Sequence, residues 1–260
     1  MGTGVTCPIM RIHPAIIAQA AATSAALLPG RFFLGLGTGE NLNEHILGGR
    51  WPSAGMRLEM LEEAVHVIRQ LWQGANTSFR GQFFVVENAR MYTLPDRRPP
   101  IYIAAAGPRA ARLAARAGDG LIAMTPEQEL VRTFQDEGNG GPRYGQVAVC
   151  WADSEQEARK TATRIWPTAA LSGSVEQELP LPVHFEELVS SVTEEDVARS
   201  VVCGPDPDRY VDAVRKFADA GFDHIALRQI GPGQAAFFEF YKSELLPRIL
   251  RSLHTASVPT

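Results

Sequence analysis

Residues 31–45, RFFLGLGTGENLNEH, decide the fold. An apolar run through Leu36 has the length and composition of a buried strand, and Gly37 and Gly39 follow it. Because glycine has no Cβ, the backbone can turn sharply there and approach a ligand closely. Glu40 comes next, so a carboxylate is delivered where the strand ends. Either this carboxylate faces a ligand, or it is a solvated acid in the first turn of the following helix.

Strands and helices alternate on both sides of this stretch. Alternation of this kind predicts a parallel sheet covered by helices, and in a (β/α)8 barrel the active site lies at the carboxyl ends of the strands. The six predicted strands lie near Gly2 and over 31–36, 101–105, 121–124, 146–152 and 224–227. The predicted helices cover 15–28, 53–72, 109–117, 193–199, 206–220 and 237–250, and two more begin near Pro126 and at Ser154.

Two segments interrupt the alternation. Residues 78–93 alternate around FRGQFFVVENARMY, which predicts an inserted hairpin. Residues 168–192 are acidic and without clear periodicity, so we expect an irregular excursion there. The sequence predicts one domain over residues 1–260 that contains both insertions.

Composition narrows the classes of function. The chain has 260 residues, 45% hydrophobic and 21% charged, and a formal net charge of -4. Its basic residues are scattered, which argues against nucleic acid and anionic membranes as partners. No apolar run is long enough to span a membrane, and no signal-peptide pattern precedes the first helix, so a cytoplasmic location is expected. Cys7, Cys150 and Cys203 are far apart, which predicts reduced thiols, and no pair of Cys or His residues has zinc-ligand spacing.

Four blocks carry a resemblance to a known family. The chain resembles the luciferase-like oxidoreductases, in the branch that uses the deazaflavin coenzyme F420 and includes glucose-6-phosphate dehydrogenases. The resemblance implies a TIM barrel that binds the deazaflavin at its C-terminal mouth and transfers a hydride without a metal. It also implies a homodimer acting on a small molecule, and a flavin (FMN) monooxygenase of the same superfamily is the alternative. The blocks are GLGTGENLNEH, WPSAGMRLEMLEEAVHVIRQLWQG, PIYIAAAGPRAARLAARAGDG and CGPDPDRYVDAVRKFADAGFDHIAL.

The resemblance implies a catalytic role for Glu40, which matches the acid that protonates or stabilises the ring nitrogen. A carboxylate that is partly desolvated against a cofactor can hold a proton near neutral pH. Thr38 and Gly39 match backbone contacts to the coenzyme, and Asn43 matches a polar contact to it.

Two further segments match coenzyme-binding positions. Gly4 and Val5 match a strand end where relatives often have a cis peptide bond beneath the ring. Cys7 either lines the pocket or is a buried core thiol. Ala106 and Gly107 match a glycine pair that admits the coenzyme phosphate, although the first position is alanine here. The helix that follows them would direct its amide groups at that anion.

The chain departs from the family pattern at its beginning. A barrel of this type needs eight strands, and the first two βα units have no match in this sequence. The second of these carries an Asp-His pair, whose histidine is the proposed base. We therefore expect an N-terminally truncated barrel of about six strands, poorly soluble because of its unpaired edges or closed by another chain. A catalytically incomplete homologue is the corresponding alternative function.

The substrate pocket also departs from the pattern. A sugar phosphate needs basic partners, yet MTPEQEL (124–130) and residues 168–192 contain no Lys or Arg. Arg199 is the nearest candidate, and its alternative is a solvated charge at a helix end. The sequence therefore predicts a small alcohol, carbonyl or enone substrate rather than glucose 6-phosphate. Trp51 either contributes to this pocket or is a packing anchor.

Overall fold

The computed structural model describes residues 1–171, 173 and 175–255. These residues form two compact units, which we describe separately. Unit 1 comprises Met1–Ala123, Gln128–Arg143 and Gln177–Pro180. Unit 2 comprises Met124–Glu127, Tyr144–Glu176 and the residues from Leu181 on. The single domain over residues 1–260 stays a prediction.

Unit 1 contains a parallel sheet in the order β1 (Leu34–Leu36), β4 (Ile101–Ala104) and β5 (Gly120–Ala123). Leu36 lies opposite Ile103, and Ile103 lies opposite Leu121. Isolated parallel bridges attach Gly2 and Thr6 to the β1 side of this sheet. The carboxyl ends of all these segments therefore meet at one edge. The elements are α1 (Pro14–Leu27), β1 (Leu34–Leu36), α2 (Asn41–Glu44), α3 (Ala54–Leu71), β2 (Thr77–Arg80), β3 (Val85–Ala89), β4 (Ile101–Ala104), α4 (Pro108–Ala117), β5 (Gly120–Ala123) and α5 (Gln128–Asp136).

Helix α3 confirms the helix that the sequence predicts over 53–72. The Ser53 side chain caps the helix by accepting a hydrogen bond from the Met56 amide, and the buried face follows helical spacing. The indole of Trp72, just after the helix, donates to the Ala18 carbonyl of α1 at 2.9 Å. Six apolar residues of α3 are at most 2% exposed: Leu61, Ala64, Val65, Val67, Ile68 and Leu71.

The predicted hairpin is confirmed as the antiparallel pair β2 and β3. Glu63 of α3 holds its turn, because its carboxylate accepts hydrogen bonds from three consecutive amides at 2.7 to 2.9 Å. These amides belong to Gln82, Phe83 and Phe84.

Unit 2 is also built on parallel strands. Its strands are β6 (Arg143–Cys150), β7 (Val202–Cys203) and β8 (His224–Gln229). Strand β6 pairs with β7 through Val149 and Val202 and with β8 through Tyr144 and His224. The Tyr210 hydroxyl is buried and donates to the Gly204 carbonyl at 2.6 Å, which fixes α10 to the end of β7. The elements are β6 (Arg143–Cys150), α6 (Glu155–Ile165), α7 (Val175–Glu178), α8 (Pro182–Val189), α9 (Glu194–Ser200), β7 (Val202–Cys203), α10 (Pro207–Asp219), β8 (His224–Gln229), α11 (Gln234–Phe240) and α12 (Leu246–Thr255). Arg143 itself belongs to unit 1, and α7 continues from unit 2 into unit 1.

The structure corrects three predictions. The excursion 168–192 is not irregular, because it contains α7 and α8; Pro182 occupies the first turn of α8, where its fixed φ favours a helix start. Strand β7 was not predicted, since two residues are too few to show a period. The segment near Gly2 makes isolated bridges instead of a regular strand. Among the described residues, six strands still have parallel partners: β1, β4, β5, β6, β7 and β8.

Candidate active site

The predicted site residues of unit 1 gather at the carboxyl ends of its strands, which we call the strand-end edge. The Thr6 amide donates to the Gly35 carbonyl at 2.8 Å, and the Gly37 amide donates to the Thr6 carbonyl at 3.0 Å. The register of β1 with β4 places the chain after Ala104 on the other side of β1. Three neighbouring segments therefore leave the sheet at this edge. They carry Gly4, Val5 and Cys7; Thr38, Gly39, Glu40 and Asn43; and Ala106 and Gly107.

Glu40 is exposed at this edge. It occupies the residue before α2 in an extended conformation, but among the described residues its side chain makes no capping hydrogen bond. Instead, its Oε2 accepts a hydrogen bond from Asn43 Nδ2 at 3.1 Å. Glu40 is thus a solvated acid at the start of α2, as the alternative expects, although its carboxylate does not cap the helix. That the carboxylate faces a ligand stays a prediction.

The two glycines before Glu40 bring chain segments of unit 1 together. A Cβ on Gly37 would lie 2.7 Å from Val5 Cγ2. Gly39 has φ +72, a conformation that favours glycine, and a Cβ there would lie 2.6 Å from Cys7 Sγ. The close approach that these glycines permit is thus to residues 5 and 7 of the chain itself. A contact of Thr38 and Gly39 with a ligand stays a prediction.

The Gly4-Val5 segment faces open space. Its peptide bond is cis, as the resemblance implies. Val5 is 42% exposed, and a Cβ on Gly4 would meet none of the described atoms within 4 Å. A planar ligand could therefore lie against this segment without displacing protein atoms.

The other side of the edge has the features of an anion site. Gly107 is extended, and a Cβ on it would approach no described atom within 4 Å. Directly after it begins α4, a helix of ten residues with Pro108 in its first turn. The amides of Arg109 and Ala110 have no acceptor within the helix, because they belong to its first turn. Together with the helix dipole, they favour an anion in the open space beside Gly107.

Sequence reasoning missed Glu44, a buried acid behind the edge. Glu44 is 2% exposed, and its Oε2 accepts a hydrogen bond from the Arg11 amide at 2.8 Å. The pKa of the neighbouring Cys7 thiol is raised to about 12, chiefly by burial and also by the carboxylate of Glu44, while a hydrogen bond from the Ile9 backbone and the charge of Arg11 lower it. Cys7 is thus a neutral thiol tied to Glu44. The only sequence signal for this acid is its place in the block NLNEH.

We expect Cys7 to react slowly with iodoacetamide, because the thiolate is the reactive form. At pH 8 its rate should be at least about a hundredfold below that of a thiol with pKa 9.0, and it should still be rising at pH 11. Peptide mapping by mass spectrometry measures the rate, with Cys7→Ser as the blank. The raised pKa also means that its contribution to stability is present below pH 9 and is lost as the pH rises towards 12. Rapid labelling at pH 8 in the folded protein would contradict this assignment.

The two remaining predicted residues, Arg199 and Trp51, contact charged side chains of the protein. Arg199 lies in unit 2, where its side chain is 70% exposed and pairs with Glu195 and Asp196 of its own helix at 3.8 and 3.3 Å. These contacts match the alternative of a solvated helix-end charge, and a substrate role for Arg199 stays a prediction. Trp51 is an anchor, because the guanidinium of Arg57 lies 4.3 Å from its ring centroid.

The described residues offer neither a metal-binding cluster nor a membrane-spanning helix. They contain no group of three or more His, Cys, Asp or Glu side chains arranged to hold a metal ion. In the same part of the chain, every helix is too short or too polar to cross a membrane.

Known proteins that are similar to this chain identify its family. The model of the luciferase-like monooxygenase family matches residues 1–224. F420-dependent glucose-6-phosphate dehydrogenases from Mycobacterium avium (strain 104) and Microbacterium testaceum (strain StLB037) are each 34% identical to the chain, over 96% of it and 79% and 78% of their own lengths. An F420-dependent secondary alcohol dehydrogenase, solved with an F420-acetone adduct, has a TM-score of 0.86 and 29% identity, over 95% of this chain and 78% of that one.

The chain therefore belongs to the luciferase-like family, and its relatives confirm the predicted resemblance to the F420-dependent oxidoreductase branch. The predicted α/β fold class is also confirmed by solved luciferase-like structures. One is a coenzyme F420 dependent tetrahydromethanopterin reductase from Methanopyrus kandleri, with a TM-score of 0.76 over 95% of this chain and 82% of that one. At 18% identity this last comparison concerns the fold alone.

Proposed function

We propose that this protein binds coenzyme F420 at the strand-end edge and transfers a hydride between the coenzyme and a small neutral alcohol or carbonyl compound. The observation that carries the proposal is the exposed carboxylate of Glu40, which lies on the same edge as the open space beside Gly107 and the start of α4. The relatives reported above, which are F420-dependent oxidoreductases, support the choice of coenzyme.

The residues of this edge fit an anionic, planar coenzyme. The first-turn amides of α4 and the space beside Gly107 would hold its phosphate. The exposed surface of Gly4 and Val5 would support the ring, and the backbone of Thr38 and Gly39 would contact its edge. When bound, the deazaflavin supplies the hydride chemistry.

Glu40 is the acid of this proposal. Its carboxyl would hold or donate a proton at the ring nitrogen, and a positioned acid of this kind contributes about 10²–10⁴-fold to a rate. Asn43 Nδ2, which donates to Glu40 Oε2 at 3.1 Å, would fix the direction of the carboxyl group.

The substrate class follows from charge. A phosphate dianion that leaves water needs several basic partners, and residues 124–130 and 168–192 provide neither Lys nor Arg. The structural relative with an F420-acetone adduct supports a small carbonyl substrate, whereas the relatives at 34% identity make glucose 6-phosphate the second candidate. The lack of basic side chains in these two segments favours the neutral substrate.

Fluorescence titration with F420 beside FMN tests the cofactor. We expect saturable binding of F420 and at least tenfold weaker binding of FMN; the reverse order would favour a flavin monooxygenase. Deazaflavin absorbance then reports hydride transfer with propan-2-ol, acetone and glucose 6-phosphate. Turnover with glucose 6-phosphate alone would contradict the proposed substrate class.

We also propose that the protein is a cytoplasmic homodimer, as the resemblance implies. Sedimentation of the purified chain would test the oligomeric state, and cell fractionation would test the location.

Gly107→Ala should weaken F420 binding by about tenfold. The added methyl group would occupy the space proposed for the phosphate, and it would meet no described protein atom within 4 Å, so folding should be unaffected. Gly140→Ala is the matched control, because a Cβ there also meets none of the described atoms within 4 Å and Gly140 is exposed. Titration and thermal unfolding of both variants measure the two effects. Equal F420 affinity in the two variants would place the phosphate elsewhere.

A further inference from the structure

A four-residue segment of the excursion belongs to unit 1. Residues Gln177–Pro180 form part of unit 1, whereas the residues on either side of them belong to unit 2. We call this segment the strap. Since α7 has only four residues and ends in the strap, its own hydrogen bonds are too few to hold the strap in place. Side-chain contacts from unit 1 must do so.

Within the described part of the chain, Glu178 makes three contacts that anchor the strap. Its backbone carbonyl accepts a hydrogen bond from Asn41 Nδ2 at 2.8 Å. Its Oε1 pairs with Arg57 Nη2 at 2.8 Å, and its Oε2 accepts a hydrogen bond from Trp51 Nε1 at 3.0 Å. Both carboxylate oxygens and the carbonyl are therefore used, although half of the side chain remains exposed.

Burial of the Arg57 guanidinium costs free energy, which a structural role alone does not explain. The residue is 1% exposed, its Nη1 donates to the Pro52 carbonyl at 2.8 Å, and its Nε has no hydrogen-bond partner among the described residues. A buried guanidinium loses its hydration, and a hydrocarbon side chain of similar size often gives equal or greater stability. A cation at this position is explained better by a need to hold Glu178 at one defined point.

Asn41 connects the strap to the proposed acid. It is the first residue of α2, directly after Glu40, and is 9% exposed. Its carbonyl contacts His45 Nδ1 at 2.8 Å, and its Oδ1 is buried without a partner in the described part of the chain. Asn43, whose Nδ2 donates to the Glu40 carboxylate, lies in the same helical turn. Any movement of α2 would therefore move Glu40 and Asn43 together.

We propose that Glu178 is a positioning residue: it locks the strap onto Arg57, Trp51 and Asn41, and thereby holds α2 in the orientation that directs Glu40 at the coenzyme. The inference rests on the proposed function for its catalytic consequence. Its structural part, the dependence of α2 on Glu178, can be measured without coenzyme.

Hydrogen–deuterium exchange of the coenzyme-free protein tests the structural part. Glu178→Gln removes the charge and one acceptor, and Trp51→Phe removes one donor while keeping the aromatic ring. We expect amide exchange in α2 and the strap to rise at least tenfold in Glu178→Gln and less in Trp51→Phe, with β4 and β5 unchanged. Glu186→Gln, an exposed acid of the same excursion, is the control. Unchanged exchange in α2 for both test variants would overturn the proposal.

Hydride-transfer kinetics test the catalytic part. We expect Trp51→Phe and Glu178→Gln to lower kcat by about three- to thirtyfold, with KM for F420 changed less than threefold. In a Glu40→Gln background the same substitutions should cause no further loss, because they act through Glu40. Fully additive losses would overturn the positioning role. If the wild-type chain shows no F420-dependent turnover, the proposed function fails, and the exchange experiment alone decides whether Glu178 holds α2.

Discussion

Glu40→Gln is expected to lower kcat for F420-dependent hydride transfer by about 100-fold or more, while the Kd for F420 should change by less than threefold. The amide has nearly the same shape as the carboxyl group, but it cannot hold or donate the proton that the ring nitrogen requires. Asn43 lies 3.1 Å from Glu40 Oε2, so the side chain is already oriented before any ligand binds. Stopped-flow absorbance of the deazaflavin measures the hydride step directly.

The control for this prediction is Glu87→Gln in the hairpin, which removes one exposed carboxylate away from the strand-end edge. We expect wild-type kinetics from it. A Glu40→Gln variant with a kcat within threefold of the wild type would remove Glu40 from the chemistry. In that case F420 titration would still test the anion site at α4, and hydrogen–deuterium exchange would still test the strap.

Gly35→Ala is expected to destabilise the protein by about 3 kcal/mol. A Cβ on Gly35 would lie 2.0 Å from the Thr3 carbonyl oxygen and 3.1 Å from Ile122 Cδ1. Thr3 cannot withdraw easily, because its hydroxyl donates to the Gly35 carbonyl at 2.8 Å and accepts from the Gly35 amide at 3.0 Å. Residues 3–7 would have to separate from β1, which also disrupts the strand-end edge.

Urea unfolding of Gly35→Ala and Gly140→Ala measures this difference. Gly140→Ala should change the free energy of unfolding by less than about 1 kcal/mol, since its Cβ has open space and its backbone needs no positive φ. Gly35→Ala should also weaken F420 binding by moving Gly4 and Val5. A Gly35→Ala variant as stable as the Gly140→Ala control would mean that residues 3–7 are not held against β1.

The strap changes the interpretation of the acidic excursion. From the sequence, its glutamates argue only against a phosphate-bearing substrate. In the structure, Glu178 has a defined partner in Arg57, and its backbone carbonyl accepts a hydrogen bond from Asn41, the residue that follows Glu40. An acidic residue in a segment without periodicity is thus part of the support for the proposed catalytic acid.

The sequence alone determined the local elements of this protein and the class to which it belongs. The spacing of apolar residues predicted α3, the alternation in 78–93 predicted the hairpin, and the glycine bend after Leu36 predicted where Glu40 emerges. Each of these depends on residues close together in the chain, so periodicity and turn chemistry are sufficient. The family blocks then identified the residues that the strand-end edge brings together.

Only the tertiary structure revealed Glu44 beneath Gly39, the two-residue strand β7 and the strap. Glu178 lies 121, 127 and 137 residues from Arg57, Trp51 and Asn41, so no local pattern could connect them. A buried charge is invisible in composition, because burial depends on which distant segments pack over it. Contacts of this kind exist only after the chain has folded, which is why the position of the proposed acid could be predicted from the sequence and the residues that hold it could not.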